Sequence, residues 1–173
     1  MSISFSVLER VDFERSKPWN LPCLGSFHTQ LFCKEEKMNP ADVAYPWIGI
    51  SKHAFWEEHC RPPMVVNCYV LVSWAFERCG IQVPQTLLGQ LYAGNLAESH
   101  EAQDGYCLIF TKGKWNNGGY FDAKRAVQGV GHVGIVSCQG TVIHSSVDAG
   151  TIVEEPLESF LDSDVFRGIY RIR

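Results

Sequence analysis

The strongest pattern in the sequence is a continuous apolar run between Asn67 and Gly80. Only Ser73, Glu77 and Arg78 in the run are plainly polar, so a helix formed here would be apolar around most of its circumference. That distribution is typical of a buried helix. Asn67 is a favourable N-cap residue, and Gly80 suits the position that ends a helix. The sequence therefore predicts a buried helix over residues 68–79.

Downstream of this helix the pattern becomes mainly that of strands. A second, shorter helix is predicted after Pro84, through residues 87–92. Apolar and β-branched runs then predict strands over residues 106–111, 132–137, 141–146, 151–153 and 168–172. The Gly- and Asn-rich residues 112–131 predict a long loop. Helices followed by consecutive strands are typical of an α+β fold.

The amino-terminal part has a different pattern. Residues 3–7 alternate apolar residues with serines, which predicts a short strand. Between residues 16 and 46, prolines interrupt any long element. We therefore expect residues 1–40 to form an amino-terminal extension or irregular subdomain, and residues 41–173 to form the main domain.

Length and charge limit the classes of protein to consider. The 173 residues suit one globular domain, or one domain with an extension. The net charge is -4 and the sequence has no basic run, so it lacks the positively charged surface typical of nucleic-acid-binding proteins. No stretch reaches the roughly 18 apolar residues of a membrane-spanning helix. Glu9, Arg10 and Asp12 stand where a signal peptide would have its apolar core. We expect no nucleic-acid partner, no membrane span, and a cytoplasmic location or export by a dedicated non-classical route.

The seven cysteines are the unusual feature of the composition. None forms a CxxC pair, which argues against a zinc ribbon or a thioredoxin-type site. His53, His59 and Cys60 lie close in sequence, but their spacing fits no standard metal site, and we expect these two histidines in exposed loops. No metal or organic cofactor is predicted. The question is whether one thiol is a nucleophile.

Cys68 is the best-placed candidate because it stands at the predicted start of the buried helix. The unpaired backbone N–H groups and the dipole of a helix amino terminus favour the thiolate, which is the nucleophilic form of cysteine. Position alone does not separate this role from simple packing. A nucleophilic thiol also needs an imidazole as general base and a polar group that orients the imidazole.

Two histidines lie in a predicted hairpin downstream of this helix. His132 begins one strand and His144 lies in the next. A two-residue turn would place them on opposite faces of the sheet. A three-residue turn over residues 138–140, with Gly140 in the left-handed conformation, pairs His144 with Gly134 instead. Both histidines then share a face as diagonal neighbours, about 7 Å apart or slightly less.

With these features the sequence resembles the NlpC family of papain-like cysteine peptidases, which cleave peptide stems of the bacterial cell wall, typically next to D-glutamate. The resemblance covers residues 45–173, about three quarters of the chain by count. Five segments carry it: YPWIG (45–49), NCYV (67–70), DGYCLIF (104–110), GHVGI (131–135) and VIHS (142–145). The resemblance implies a papain-like fold, with a helix bearing the nucleophilic cysteine packed on an antiparallel sheet bearing the histidines.

The resemblance also implies roles for individual residues. Cys68 is the implied nucleophile, His132 the general base and acid, and His144 the residue that orients His132. Tyr45 matches a tyrosine of the family that lines the site, and its neighbour Trp47 is a further candidate for substrate binding.

Tyr69 and Val70 depart from the family, because they replace a small Ser-Gly pair that lets substrate approach closely. We expect Tyr69 to reshape the substrate pocket. The gap from Tyr45 to Cys68 and the loop over residues 112–131 are also longer than in typical members of the family.

The implied function is hydrolysis of an amide bond in a peptidoglycan stem peptide, through an acyl-enzyme intermediate on Cys68. Two alternatives remain open from the sequence. One keeps the Cys–His machinery but changes the substrate, as in an amidase, an isopeptidase or an acyltransferase. The other is a catalytically silent binding module with the same fold. The expected partner is a peptide or a peptidoglycan fragment.

Overall fold

The computed structural model describes residues 38–102, 104–113, 120–124, 127–161 and 164–172. The predicted strand at residues 3–7 and nearly all of the predicted extension over residues 1–40 lie outside the described residues. None of the helices in the described ranges is long and apolar enough to cross a membrane.

Helices and strands occur in the order expected for an α+β fold. The α-helices are α1 (Pro40–Ala44), α2 (Cys68–Arg78) and α3 (Leu87–Ala93). The strands are β1 (Lys52–His53), β2 (Val65–Val66), β3 (Asn95–Ala97), β4 (Cys107–Thr111), β5 (Tyr120–Asp122), β6 (Val127–Val130), β7 (His132–Val136), β8 (Thr141–Ser146), β9 (Thr151–Pro156) and β10 (Phe166–Arg171).

An eight-stranded sheet forms the centre of the described domain, in the order β2-β1-β9-β8-β7-β4-β10-β3. The pairs are antiparallel apart from β1 and β2, which are parallel. All five residues of β4 are buried, because apolar groups cover both faces of this strand. The predicted α+β class, the two predicted helices and the five strands predicted after them are confirmed.

Helix α2 forms where the sequence predicts it. The side-chain oxygen of Asn67 accepts a hydrogen bond from the backbone N–H of Val70, at 2.9 Å, and so satisfies one of the free amides at the helix start. Gly80, at φ +77°, follows the helix in the left-handed conformation. Apolar side chains of α2 share one core with Val133, Ile135 and Ile143 of the central hairpin. Cys68 is therefore held at the end of a buried element.

A second, smaller core lies on the opposite face of the sheet. Alternation along the strands places Val136 and Val142 there, with Ile109 of β4 and Ile169 of β10. The segment over residues 157–160 after β9 closes this side of the sheet, since Leu157 and Phe160 pack against the same cluster. The central hairpin is thus covered on both faces.

The structure differs from the prediction for residues 112–131. The predicted long loop contains the hairpin of β5 and β6, a separate two-stranded sheet. Val127 and Val130 of β6 are buried, and β6 packs beside β4 and β10. Two such short strands carry little apolar patterning of their own, so the sequence alone does not reveal them. Pro40 lies in the first turn of the five-residue helix α1, a position where its missing N–H is tolerated.

Replacing the cap of α2 tests how the helix start is held. Asn67→Ala removes the acceptor for the Val70 amide and should lower the free energy of unfolding by about 1 kcal/mol in urea titrations. Asn67→Ser keeps an acceptor oxygen and should recover most of that loss. Equal unfolding midpoints for Asn67→Ala and the unmodified chain would show that the cap contributes nothing.

Candidate active site

The turn of the central hairpin decides where its histidines point. Ile135 pairs with Ile143 and Val136 with Val142, and Gly140 lies at φ +72° in the turn. This register leaves residues 138–140 as the turn, as predicted from the sequence. The alternative, a two-residue turn with the histidines on opposite faces, is excluded.

The two histidines meet through a direct hydrogen bond. Nε2 of His132 and Nδ1 of His144 lie 2.9 Å apart, with the rings nearly perpendicular. Gly134 makes this approach possible, because a Cβ atom there would lie 3.2 Å from the His144 Cβ and 2.4 Å from Val142 Cγ1. The pairing of His132 with His144 is the core of the candidate site.

His144 lies almost entirely inside the protein. The residue is 6% exposed, and its ring packs edge-on against Phe160, with the ring centroids 5.3 Å apart. Nε2 of His144 lies 3.5 Å from Oε2 of Glu155. Burial lowers the pKa of His144 although the nearby Glu155 carboxylate acts to raise it.

His132 also prefers the neutral form. The pKa of His132 is lowered to about 3. Burial is the largest cause, and repulsion from the positive charges of protonated His144 and His53 adds to it. At neutral pH the ring is therefore an uncharged imidazole. Its Nε2 faces His144, so Nδ1 is the ring nitrogen left to act as a base.

Cys68 is buried at the first residue of α2. Backbone hydrogen bonds from Val133, from Tyr69 and from Cys68 itself favour the thiolate, but burial outweighs them and raises the pKa of the thiol to about 11. Val133 follows His132 directly on β7, so the thiol lies against the strand that carries His132. Among the described residues, no hydrogen bond joins the Cys68 thiol to the His132 ring.

At rest, the Cys68 thiol and both imidazoles are thus neutral. Burial disfavours each charge taken separately. A proton transfer from Cys68 to His132 would create a thiolate and an imidazolium together, and their attraction at short range would offset part of the desolvation cost.

The three residues expected to bind substrate lie in different surroundings. Tyr45 is 47% exposed in a short 3₁₀ turn after α1. Trp47 is half-buried and packs edge-on against Trp74 of α2, with the ring centroids 6.3 Å apart. Tyr69 is half-buried directly after Cys68, and its hydroxyl lies 3.5 Å from Oε2 of Glu57. Of the three, Tyr69 is thus the one that neighbours Cys68 in the chain.

His53 corrects an expectation from the sequence. It was expected in an exposed loop, but it lies half-buried on β1, with Nδ1 2.8 Å from the hydroxyl oxygen of Ser145. That hydroxyl donates to the carbonyl of Val66 at 3.0 Å, so it accepts from His53. Burial lowers the pKa of His53. Strand β1 has only two residues, and its place beside β9 depends on distant pairing that local patterning does not reveal.

The other cysteines and histidines of the described ranges give no second cluster. Cys107 is buried as expected, Cys79 is half-buried, Cys138 is exposed in the hairpin turn, and His59 is exposed. Within those ranges, no group of three or more His, Cys, Asp or Glu side chains is arranged to hold a metal ion.

Solved structures of NlpC/P60 proteins resemble this one. An NLP/P60-family protein from Staphylococcus aureus, similar to a lipoprotein, superposes with a TM-score of 0.60 at 24% identity, over 86% of this chain and 45% of that one. The peptidoglycan hydrolase RipB of Mycobacterium tuberculosis gives a TM-score of 0.52 at 19% identity, over 77% of this chain and 62% of RipB. RipD of the same species is a non-catalytic NlpC/p60 domain protein adapted to peptidoglycan binding. It gives a TM-score of 0.53 at 13% identity, over 79% of this chain and 99% of RipD.

These similarities establish the fold. The chain has the papain-like α+β fold of NlpC/P60 proteins, as the sequence resemblance implied. It spans less than half the length of the Staphylococcus aureus protein. No protein-family model and no curated protein matches the sequence.

Acid unfolding tests the neutral state of His132. The unfolded chain binds a proton on this histidine as the pH falls through about 6.5, the ordinary histidine value, whereas the folded chain does so only near its folded pKa of about 3. Stability should therefore be complete above pH 6.5 and fall progressively between pH 6.5 and pH 3. In His132→Gln the slope of unfolding free energy against pH should be smaller by about one proton.

The control for this measurement is His59→Gln, which alters an exposed histidine. It should keep the slope of the unmodified chain. An unchanged slope in His132→Gln would contradict the neutral, buried state of His132.

Proposed function

We propose that this protein is a cysteine hydrolase that cleaves amide bonds, with Cys68 as nucleophile, His132 as general base and acid, and His144 as the residue that orients His132. The observation that carries the proposal is the 2.9 Å hydrogen bond between the two rings, on a strand whose next residue contacts the Cys68 thiol. A nucleophile, a base and an orienting group are the parts that such catalysis requires.

In the proposed reaction, Nδ1 of His132 takes the thiol proton and Cys68 attacks the carbonyl carbon of the substrate amide. The oxygen of the tetrahedral intermediate accepts from backbone N–H groups at the start of α2, including that of Cys68. His132 returns the proton to the leaving amine, and the C–N bond breaks to give a thioester. Water, deprotonated by His132, then hydrolyses the thioester and restores the thiol.

The proposed substrate is the peptide stem of peptidoglycan. RipB, which shares the fold, is a peptidoglycan hydrolase, and the sequence resembles a family that cleaves such stems. Tyr45, Trp47 and Tyr69 are the residues we assign to substrate contact, with the bulk of Tyr69 limiting which side chains fit beside Cys68. An isopeptide or another small amide would be the substrate if Tyr69 closes the pocket to a stem peptide.

A second candidate function is binding of peptidoglycan without cleavage. Two observations favour it: RipD shares the fold and is non-catalytic, and no hydrogen bond joins the Cys68 thiol to the His132 ring in the described residues. Burial also raises the pKa of Cys68 to about 11, which disfavours the nucleophilic thiolate and so favours a binding role.

Cleavage assays separate the two candidates. Purified peptidoglycan fragments incubated with the protein should yield two peptides whose masses identify the broken amide bond. Cys68→Ala should abolish their release, whereas Cys138→Ala, which alters an exposed turn cysteine, should not. Retained turnover in Cys68→Ala would exclude Cys68 as nucleophile. Fragment binding without cleavage by the unmodified chain would favour the binding module.

The two histidines should differ in their effect on turnover. His132→Ala removes the proton acceptor and should lower kcat by about a thousandfold. His144→Ala removes only the group that orients it and should lower kcat by about ten- to a hundredfold. The measurement is steady-state kinetics on the same fragments, with circular dichroism to confirm folding. The reverse order would mean that the two roles are exchanged.

A further inference from the structure

Glu155 lies on the same face of the sheet as the histidine pair. In the pairing of β8 with β9, Val142 lies opposite Glu155 and His144 opposite Val153. Glu155 and His144 are therefore diagonal neighbours across the two strands. This brings the Glu155 carboxylate to 3.5 Å from Nε2 of His144, on the side of the ring away from His132.

The hydrogen bond between the two neutral rings holds one proton, which can belong to either ring. In the first arrangement His132 carries it on Nε2 and donates to Nδ1 of His144, whose own proton is then on Nε2. In the second arrangement His144 donates from Nδ1, and His132 must carry its proton on Nδ1. Only the first leaves a lone pair on Nδ1 of His132 that can accept the Cys68 proton.

A negative charge beside Nε2 of His144 distinguishes these arrangements. In the first, an N–H group points towards Glu155, which is an attractive contact. In the second, a nitrogen lone pair faces the carboxylate, which is repulsive. Nε2 is buried and has no hydrogen-bond partner among the described residues, and the Glu155 carboxylate 3.5 Å away lies beside it as a charged group only. Phe160 against the same ring limits access of water that could satisfy either arrangement.

From this geometry we infer that Glu155 is a positioning residue: it selects the tautomer of His144, and through it the tautomer of His132 that can act as a base. The inference rests on the proposed function, because it assigns Glu155 a part in the reaction of Cys68. Glu155 touches neither the substrate nor the thiol, and it needs no proton transfer of its own. Its carboxylate is 48% exposed, whereas the His144 side chain is 8% exposed.

The neighbouring residue Glu154 provides a matched control. It precedes Glu155 on the same strand, pairs with Ile143, and so points to the other face of the sheet. Its carboxylate accepts a hydrogen bond from the Thr141 hydroxyl at 2.5 Å. Glu154→Gln therefore changes the same charge on the same strand without altering the surroundings of His144.

The decisive readout is the tautomer of His144, measured on the full chain by ¹⁵N NMR at pH 7.5, with its signals assigned by their loss in His144→Gln. The unmodified chain and Glu154→Gln should both show a single tautomer with the proton on Nε2. Glu155→Gln presents an amide that can either accept from or donate to Nε2, so it should show a mixture of tautomers. A single unchanged tautomer in Glu155→Gln would overturn the inference.

Kinetics provide the second readout. Glu155→Gln should lower kcat by about tenfold while KM stays unchanged, because it reduces the fraction of competent enzyme and alters no substrate contact. Glu154→Gln should keep both constants. A kcat within twofold of the unmodified chain in Glu155→Gln would also overturn the inference. If the unmodified chain cleaves nothing, the proposed function fails, and the NMR result alone decides the role of Glu155.

Discussion

The candidate site depends on one constraint: two imidazole rings are in direct contact, with His144 buried and His132 half-buried, and neither can easily carry a charge. Burial lowers the pKa of both His132 and His144, so the pair is neutral and the hydrogen bond between them contains one proton. In the proposed reaction, its position determines whether Nδ1 of His132 carries a lone pair, which can accept the Cys68 proton, or an N–H group, which cannot. In the proposed reaction, chemistry at Cys68 therefore depends on more than the thiol and the general base, and the Glu155 carboxylate, 3.5 Å from Nε2 of His144, is one of the further groups.

The fold holds this pair in place through small structural features. A turn with Gly140 in the left-handed conformation sets the register that puts both histidines on one face. Gly134 leaves space for the ring of His144. Helix α2, capped by Asn67, brings Cys68 to the backbone of Val133. Phe160 covers the second ring from the other side. Each feature is local, but the site forms only where the hairpin and the helix meet.

The sequence predicted the parts of the fold that rest on local patterning. The apolar run after Asn67 indicated α2, and the turn at Gly140 gave the register of the hairpin and hence the pairing of His132 with His144. Residues placed by distant strand pairing could not be predicted. His53 reaches Ser145 only because the two-residue β1 pairs with β9, and Glu155 reaches His144 through the register of β8 with β9. The roles of Cys68, His132, His144, Tyr45, Trp47 and Tyr69 remain predictions.

The most direct test of the account is whether a covalent acyl-enzyme forms on Cys68 during turnover. The protein would be mixed with peptidoglycan fragments, quenched in acid within a single turnover, and analysed by intact-protein and peptide mass spectrometry. If Cys68 is the nucleophile, the peptide that contains Cys68 should carry an adduct equal in mass to the acyl part of the cleaved fragment. The amine part should be released at the same time. Cleavage that proceeds with no adduct on Cys68, or with an adduct on another residue, would contradict the account.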